Sequence, residues 1–336
     1  MKHVYPRFHL NLFIVSVLIS CLPILAPTMD VHCEETASAQ SAAKGFYRMK
    51  LGDFEIIALS DGSNMRLVEQ QLSLLNGNTA EIKDVLMRAY PTNQIPASVN
   101  AFLINTGAKL ILVDAGNGKT GNPAMGKVLQ NLREAGYQPE NVDEIYLTHM
   151  HPDHVGGLVL DDTPLFVNAT VYANKAEAEY WLSINNLNTA PAEAKRSYQI
   201  AQKAITPYLK AGKFKTFENG AQLAAGIRAE ALTGHTPGHT AYFVESRNNV
   251  LVLWGDIIHV AAVQFAIPSV TISFDSNQRE AKETREQILR EASDKDWLIG
   301  GAHLLFPGLG HVVANPQDGY TFIPLYFPAT AVTPLE

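Results

Sequence analysis

From residue 45 onward the apolar positions fall first into strand-like runs and then into alternating helix-like and strand-like stretches. "GFYRMKLGDFEIIALSDG", "NAFLINTG" and "KLILVDAG" read as β-strands, the last two joined at "GAK" by a tight hairpin. Pro123 opens a helical stretch, "PAMGKVLQNLREAG", whose Met125, Val128, Leu129 and Leu132 share one face and which Gly136 ends. A buried strand, "VDEIYLTHM", follows and delivers His149 at its C-terminal end. Next come a strand at "ATVYAN" and two helices, about 175–187 and 192–209. Further strands surround "ALTGHTPGHTAYFVES" and "NVLVLWGDIIHV". The helix "NQREAKETREQILREAS" precedes "WLIGGAH", a strand that again ends in a histidine. No linker rich in Pro, Gly or Ser separates two halves, and no short repeat is present. The pattern predicts one domain of two sheets between helices.

The first residues break this pattern. Lys2 and Arg7 precede the apolar run "LNLFIVSVLISCLPIL", followed by a small-residue site at Ala37-Ser38-Ala39. That order reads as an export signal, with residues 1–39 as leader and 40–336 as one domain. The apolar run is shorter than the roughly 20 residues of a spanning helix, and Pro23 interrupts it. No stable membrane insertion is therefore expected after cleavage, and the mature protein is expected in the periplasm or outside the cell. "LISC" offers an alternative, a lipid anchor on Cys21. Both cysteines, Cys21 and Cys33, lie in this leader, so the remaining chain has no thiol chemistry and any metal must be held by nitrogen and oxygen. The 336-residue chain carries a formal net charge of −7, which provides no electrostatic footprint for nucleic acid. A small-molecule substrate is the expected partner, with a homodimer left open.

The candidate chemistry is concentrated in "THMHPDHVGG", Thr148–Gly157. His149 and His151 can point the same way, because alternate residues of an extended segment share a side. Once Pro152 bends the chain, Asp153 and His154 can face a second point, and Gly156 and Gly157 let other backbone pass close by. Four donors in six residues exceed what one open metal centre needs, so two adjacent divalent ions are the economical reading. The bland reading, a solvated loop with incidental histidines, fits a lone histidine better than this spacing. No serine sits in a G-x-S-x-G elbow, and no Gly-rich phosphate loop occurs.

H-x-H-x-D-H resembles the signature of the metallo-β-lactamase superfamily, and four further landmarks occur in its order. They are Asp114 in "LILVDAG", His235 in "GHTPGHT", Asp256 in "LWGDIIH" and His303 in "GGAHLLFPGLGH". Within it, "YRMKLGDFEIIALSDG", "GYQPENVDEIYLTHMHPDHVGGL", "YLKAGKF" and "VAAVQF" resemble methyl parathion hydrolases and their lactonase-like relatives. The resemblance implies an αββα sandwich: two mixed sheets face to face with helices on both outer faces. It implies His149, His151 and His235 on one metal, Asp153, His154 and His303 on the second, and Asp256 bridging. Of the two histidines of "GHTPGHT", it selects His235 and leaves His239 behind the ligands. Asp114 is expected to orient a ligand imidazole, with a strand-ending turn as its other reading. Five imidazoles and two carboxylates suit two zinc ions first, with manganese, iron or cobalt as alternatives.

These assignments imply an exported dinuclear metallohydrolase in which a hydroxide shared by the metals attacks, with Asp153 or Asp256 carrying the proton. Trp181, in "YWLSINNL", resembles a tryptophan that lines the family's substrate pocket, and Phe265, Phe306 and His259 are further pocket candidates. Core is the competing reading for each of them, and it is the preferred one for His259 and for Trp254. After "VDAG" the chain reads "NGKTGNPAMG", without the bulky aromatic found there in methyl parathion hydrolases. That favours a lactone or carboxylic ester over an aryl phosphotriester. Organophosphate triesterase, β-lactamase and non-catalytic metal-binding protein are the alternatives.

Overall fold

The computed structural model describes Met1 and residues 44–119, 122–316 and 319–325. The chain divides into two compact units, Met1–Ala42 and Ala43–Glu336, and every strand and helix described below belongs to the second. The leader and Cys21 lie outside the described residues. Among those described, no helix is long and apolar enough to cross a membrane.

The fold is an αββα sandwich of two seven-stranded sheets. The first holds β1 (Phe46–Leu51), β2 (Phe54–Leu67), β3 (Gln94–Asn105), β4 (Leu110–Val113), β5 (Glu144–Tyr146), β6 (Thr170–Asn174) and β7 (Phe214–Phe217), adjacent in chain order. The second holds β8 (Gln222–Ala224), β9 (Ile227–Ala231), β10 (Thr240–Ser246), β11 (Asn249–Leu253), β12 (Leu298–Gly300), β13 (Leu309–Ala314) and β14 (Tyr320–Pro324), again in chain order. Both sheets are mixed: β4, β5, β6 and β7 pair parallel in one and β11 with β12 in the other, the remaining pairs being antiparallel.

The period-two geometry of a strand explains the layering, because neighbouring side chains face opposite sides. Ile56, Ala58, Phe102, Ile104, Ile111 and Val113 point between the sheets and meet Tyr242, Val244, Leu251 and Leu253. Their neighbours Ile57, Leu59, Leu103 and Leu112 point outward under the helices Val128–Glu134 and Ala192–Lys210. On the other side, Phe243, Val252 and Ile299 pack against Ile288 and Leu289 of the helix Gln278–Asp294. Central strands apolar on both faces are what a sheet buried on both faces requires.

Two local expectations shift, and one helix is added. The helix expected from Pro123 begins only at Val128. Gly126 has φ +77° and lies so close to Gly118 that a Cβ would come within 2.0 Å of its carbonyl oxygen, while the Asp61 carboxylate accepts hydrogen bonds from the N–H groups of Gly126 and Val128. Met125 therefore faces a cavity, not a helix seam. The stretch 175–187 forms two helices, Lys175–Trp181 and Ile184–Thr189, because the Ser183 hydroxyl accepts the Asn186 N–H and starts a second helix. A helix at Thr79–Ala89, capped by Asn78, adds a satellite apolar cluster with Val260 and Ile272.

Candidate metal centre

Every implied ligand, and Asp114 behind them, lies just past the carboxyl end of a strand: Asp114 after β4, His149 after β5, His235 after β9, Asp256 after β11 and His303 after β12. Sheets of this kind leave a crevice at their carboxyl ends, where the connecting loops are free to carry chemistry. The loop 148–157 folds over a short helix, Pro152–Val155, that turns Asp153 and His154 away from His149 and His151. Gly156 and Gly157 permit this: a Cβ on either would come within 2.2 Å and 1.9 Å of the Asn117 and Ala115 carbonyl oxygens.

The side chains converge as adjoining sets, two of which hold the implied ligands, while a third, Asp256, His259 and His303, overlaps them. Donor atoms of His149, His151, His235 and Asp256 all lie within 4.8 Å of one another, and so do those of Asp153, His154 and His303. Asp256 reaches both: its Oδ2 is 3.3 Å from His235 Nε2 and 3.5 Å from His149 Nε2, and its Oδ1 is 3.2 Å from His154 Nε2. His303 Nε2 lies 3.1 Å from Asp256 and 3.5 Å from Asp153.

The outer nitrogens of four imidazoles are tied down, that of His149 to the Thr148 hydroxyl at 3.1 Å and three others to carboxylate or carbonyl acceptors. His154 Nδ1–H donates to Asp114 at 2.8 Å, His235 Nδ1–H to Asp275 at 2.8 Å and His303 Nδ1–H to the Ser98 carbonyl at 2.9 Å. Each bond fixes the ring with its Nε2 facing the centre, the orientation metal-ligating histidines adopt. His154 Nε2 and Asp256 Oδ1 are buried without a hydrogen bond among the described residues. Lone pairs from several imidazoles and a buried carboxylate facing one another need positive charge between them, and the donor set fits divalent cations.

The electrostatics point the same way. Burial pushes the Asp256 carboxyl up, but the imidazoles of His303, His154 and His149 hold it well below the ordinary carboxylate range, so it stays ionised. Burial lowers His149 well below its usual value and His151 to about 3. The same burial acts on His235, yet its bonds to Asp256 and Asp275 leave it raised to about 9.

Asp114 accepts three hydrogen bonds, from His154, the Thr148 N–H and the Thr148 hydroxyl, from a left-handed backbone at φ +59°. A non-glycine residue held there is uncommon and marks a constrained position. His239 donates to the Leu232 carbonyl through Nδ1 and accepts the Asp256 N–H at Nε2, 3.0 Å away, so neither ring nitrogen is free for a metal. His259 sits closer to the chemistry than a core residue would: its Nε2 is 3.2 Å from Asp256 Oδ2 and it lines the cavity. His311 pairs with Asp296 instead.

Above this cluster lies a cavity of ≈ 910 Å³ with His151, Asp153, His235, Asp256, His259 and His303 in its lining. Tyr90, Ile95, Trp181, Ile272, Phe274 and Leu305 make its apolar wall. Trp181 stands edge-on to His151, ring centres 5.2 Å apart. Two pocket candidates fall elsewhere. Phe265 is buried in the outer core, stacked on Phe322 at 5.5 Å. Phe306 packs on the core between the sheets, while its neighbour Leu305 takes the cavity wall. Aromatic side chains at such positions bury most where neighbouring sheets offer apolar surface.

Sequence reading missed Asp275, Glu177 and the Ser98 carbonyl. A backbone acceptor has no residue signal, and "SFDS" and "NKAEAEYW" resemble ordinary turn and helix surface.

A histidine–aspartate cluster at the strand ends of an αββα sandwich defines a class of metal-binding proteins. The chain belongs to the metallo-β-lactamase superfamily, whose family model matches residues 95–303. Among solved structures it is similar to the hydrolase AbOPH of the beta lactamase superfamily, with 35% identity, coverage of 85% of this chain and 99% of that one, and a TM-score of 0.79. It is also similar to AidC, a dizinc quorum-quenching lactonase solved with a product bound, at 31% identity, 84% and 98% coverage and a TM-score of 0.76. An N-acyl homoserine lactonase of Bacillus sp is 27% identical over 127 residues, 38% of this chain, and the match spans 42% of that relative's length.

Proposed function

We propose that this protein is a metal-dependent hydrolase of lactones or carboxylic esters, working with two divalent cations, zinc first among them. The observation that carries this is Asp256, whose carboxylate lies between two donor sets on the floor of an open, apolar-walled cavity, Oδ2 within 3.5 Å of His149, His235 and His303 and Oδ1 3.2 Å from His154. When bound, such a pair of cations supplies Lewis-acid polarisation of a carbonyl and acidification of water. His149, His151, His235 and Asp256 would hold one cation and Asp153, His154 and His303 the other, with Asp256 Oδ1, 3.2 Å from His154, reaching it too.

The chain's own groups do the rest. Asp153, 28% exposed and lining the cavity, is the carboxylate best able to receive a proton and return it to a leaving oxygen. Trp181, Phe274 and Leu305 line the cavity and offer apolar surface to the hydrocarbon part of a substrate. Where the loop after β4 meets the cavity it contributes Asn117, Asn122 and Met125, none of them the aromatic that an aryl phosphotriester pocket would use. The dizinc lactonase among the relatives supports the lactone reading. The proposal includes export through the leader in residues 1–39, which cell fractionation tests.

The decisive experiment is elemental analysis of the purified protein beside a panel of acyl-homoserine lactones, aryl esters, paraoxon-type triesters and nitrocefin. Two metals per chain and chelator-sensitive turnover of lactones or esters are expected. Metal binding with no turnover of any of them would make the protein a store or sensor, and a strong preference for nitrocefin would make it a β-lactamase.

A further inference from the structure

We infer that Glu177 is a positioning residue that sets the three imidazoles of the first cluster and the indole wall of the cavity as one unit. The inference rests on reading that cluster as a metal site. Glu177 is fully buried on the helix Lys175–Trp181 and belongs to neither donor set. Its Oε1 accepts the Met150 N–H at 2.9 Å and the Trp181 indole N–H at 2.6 Å. Its Oε2 accepts the Thr236 hydroxyl at 2.7 Å and the Gly238 N–H at 2.9 Å.

The identity of these partners separates a positioning role from scaffolding. Met150 lies between His149 and His151, Thr236 follows His235, and Trp181 packs edge-on against His151. One carboxylate thus joins the loop bearing two imidazoles, the loop bearing the third, and the aromatic wall. The contact is tight: a Cβ on Gly238 would come within 2.2 Å of the Glu177 backbone nitrogen. The loop can lie on the helix only because that position is glycine. The arrangement holds His151 Nδ1 and His235 Nε2 3.0 Å apart, a spacing suited to two donors of one ion.

All four partners are donors, so only a carboxylate satisfies them all. Glutamine has the same shape but one acceptor oxygen, so its amide N–H must face the Gly238 N–H on one side or the Met150 and Trp181 N–H groups on the other. In a buried site that mismatch forces a loop to retreat, because an unmade hydrogen bond there finds no water. The second donor set is braced separately, by Asp114 and the Ser98 carbonyl.

The test uses the full chain loaded with Zn²⁺ or Co²⁺, reading metal content after dialysis at fixed free metal, the Co²⁺ absorption spectrum and the melting temperature. Glu177→Gln is expected to weaken one of two ions by about 10–100-fold, leave the other in place and raise KM. Thr236→Val, which deletes one donor and no ligand, is expected to weaken the same ion by a smaller factor, and it decides the matter should Glu177→Gln fail to fold. Wild-type affinity for both ions in a folded Glu177→Gln, or in Thr236→Val should Glu177→Gln not fold, overturns the inference. A wild-type protein that binds no metal overturns the reading of the site itself.

Discussion

The two donor sets sit side by side and share Asp256, yet they are built differently. In the first, His149 and His235 are buried to 0% and 3%, and Glu177 and Asp275 fasten the loops that carry them. In the second, His154 is equally buried, but Asp153 and His303 are 28% and 15% exposed and face the cavity. The first set has two deeply buried imidazoles, His149 and His235, in a multiply tied frame, with His151 half-buried at the cavity; the second adds Asp153, a carboxylate at the water's edge. A cation in the first set would be held chiefly by buried groups, and one in the second would lie beside the more exposed Asp153 and His303. Protein interiors place rigid support where geometry must be exact and exposure where reactants must arrive.

The comparison can be broken at its shared member. Asp256→Asn removes a charge from both sets, so metal content should fall at both sites and kcat/KM by more than about 100-fold, beyond the range of groups that only orient ligands. His239→Asn, beside it, should cost about 1–3 kcal/mol of stability by thermal melting but keep both ions, because both ring nitrogens are spent on backbone partners. Equal metal loss in the two variants would mean His239, not His235, is the ligand.

Removing one brace at a time sharpens the contrast. Asp114→Asn should weaken chiefly the second set, with a smaller effect on the first because Asp114 also fixes Thr148 beside His149, and Asp275→Asn should weaken only the first, the main effects being about 10–100-fold in metal affinity measured by competition with a chelator. In the wild type, chelation should proceed in two phases, the ion of the more exposed set leaving first. A pH series adds a sign. In the metal-free protein His235 keeps its proton up to about 9, and a cation must displace it. Affinity at the first set should therefore rise about tenfold per pH unit below that value and level off above it. The smallest effect concerns the wall: Trp181→Ala should raise KM, whereas Phe265→Leu should leave KM unchanged and cost about 1 kcal/mol of stability.

The legible parts of this molecule are those in which chain neighbours do the work. Four donors between His149 and His154 meet because the backbone between them is short, and the Gly156–Gly157 pair follows directly. Strands apolar at every position announced sheets covered on both faces. The later ligands were legible only through resemblance, since nothing local distinguishes His235 from His239 in "GHTPGHT"; the difference is which ring nitrogens the backbone of Leu232 and Asp256 occupies. Pocket aromatics were the least legible, as Phe265 shows, because a phenylalanine serves a core and a cavity wall equally well.

By itself, then, the sequence determined the donor chemistry, oxygen and nitrogen with no cysteine after Cys33, and the sandwich whose strand ends present it. Only the tertiary structure decided which groups aim those donors. Asp275 stands 40 residues from His235, Glu177 61 from Gly238 and Ser98 205 from His303. Such partners leave no local pattern, because a hydrogen bond across the fold depends on where the sheets bring two segments together and not on the residues that flank either one.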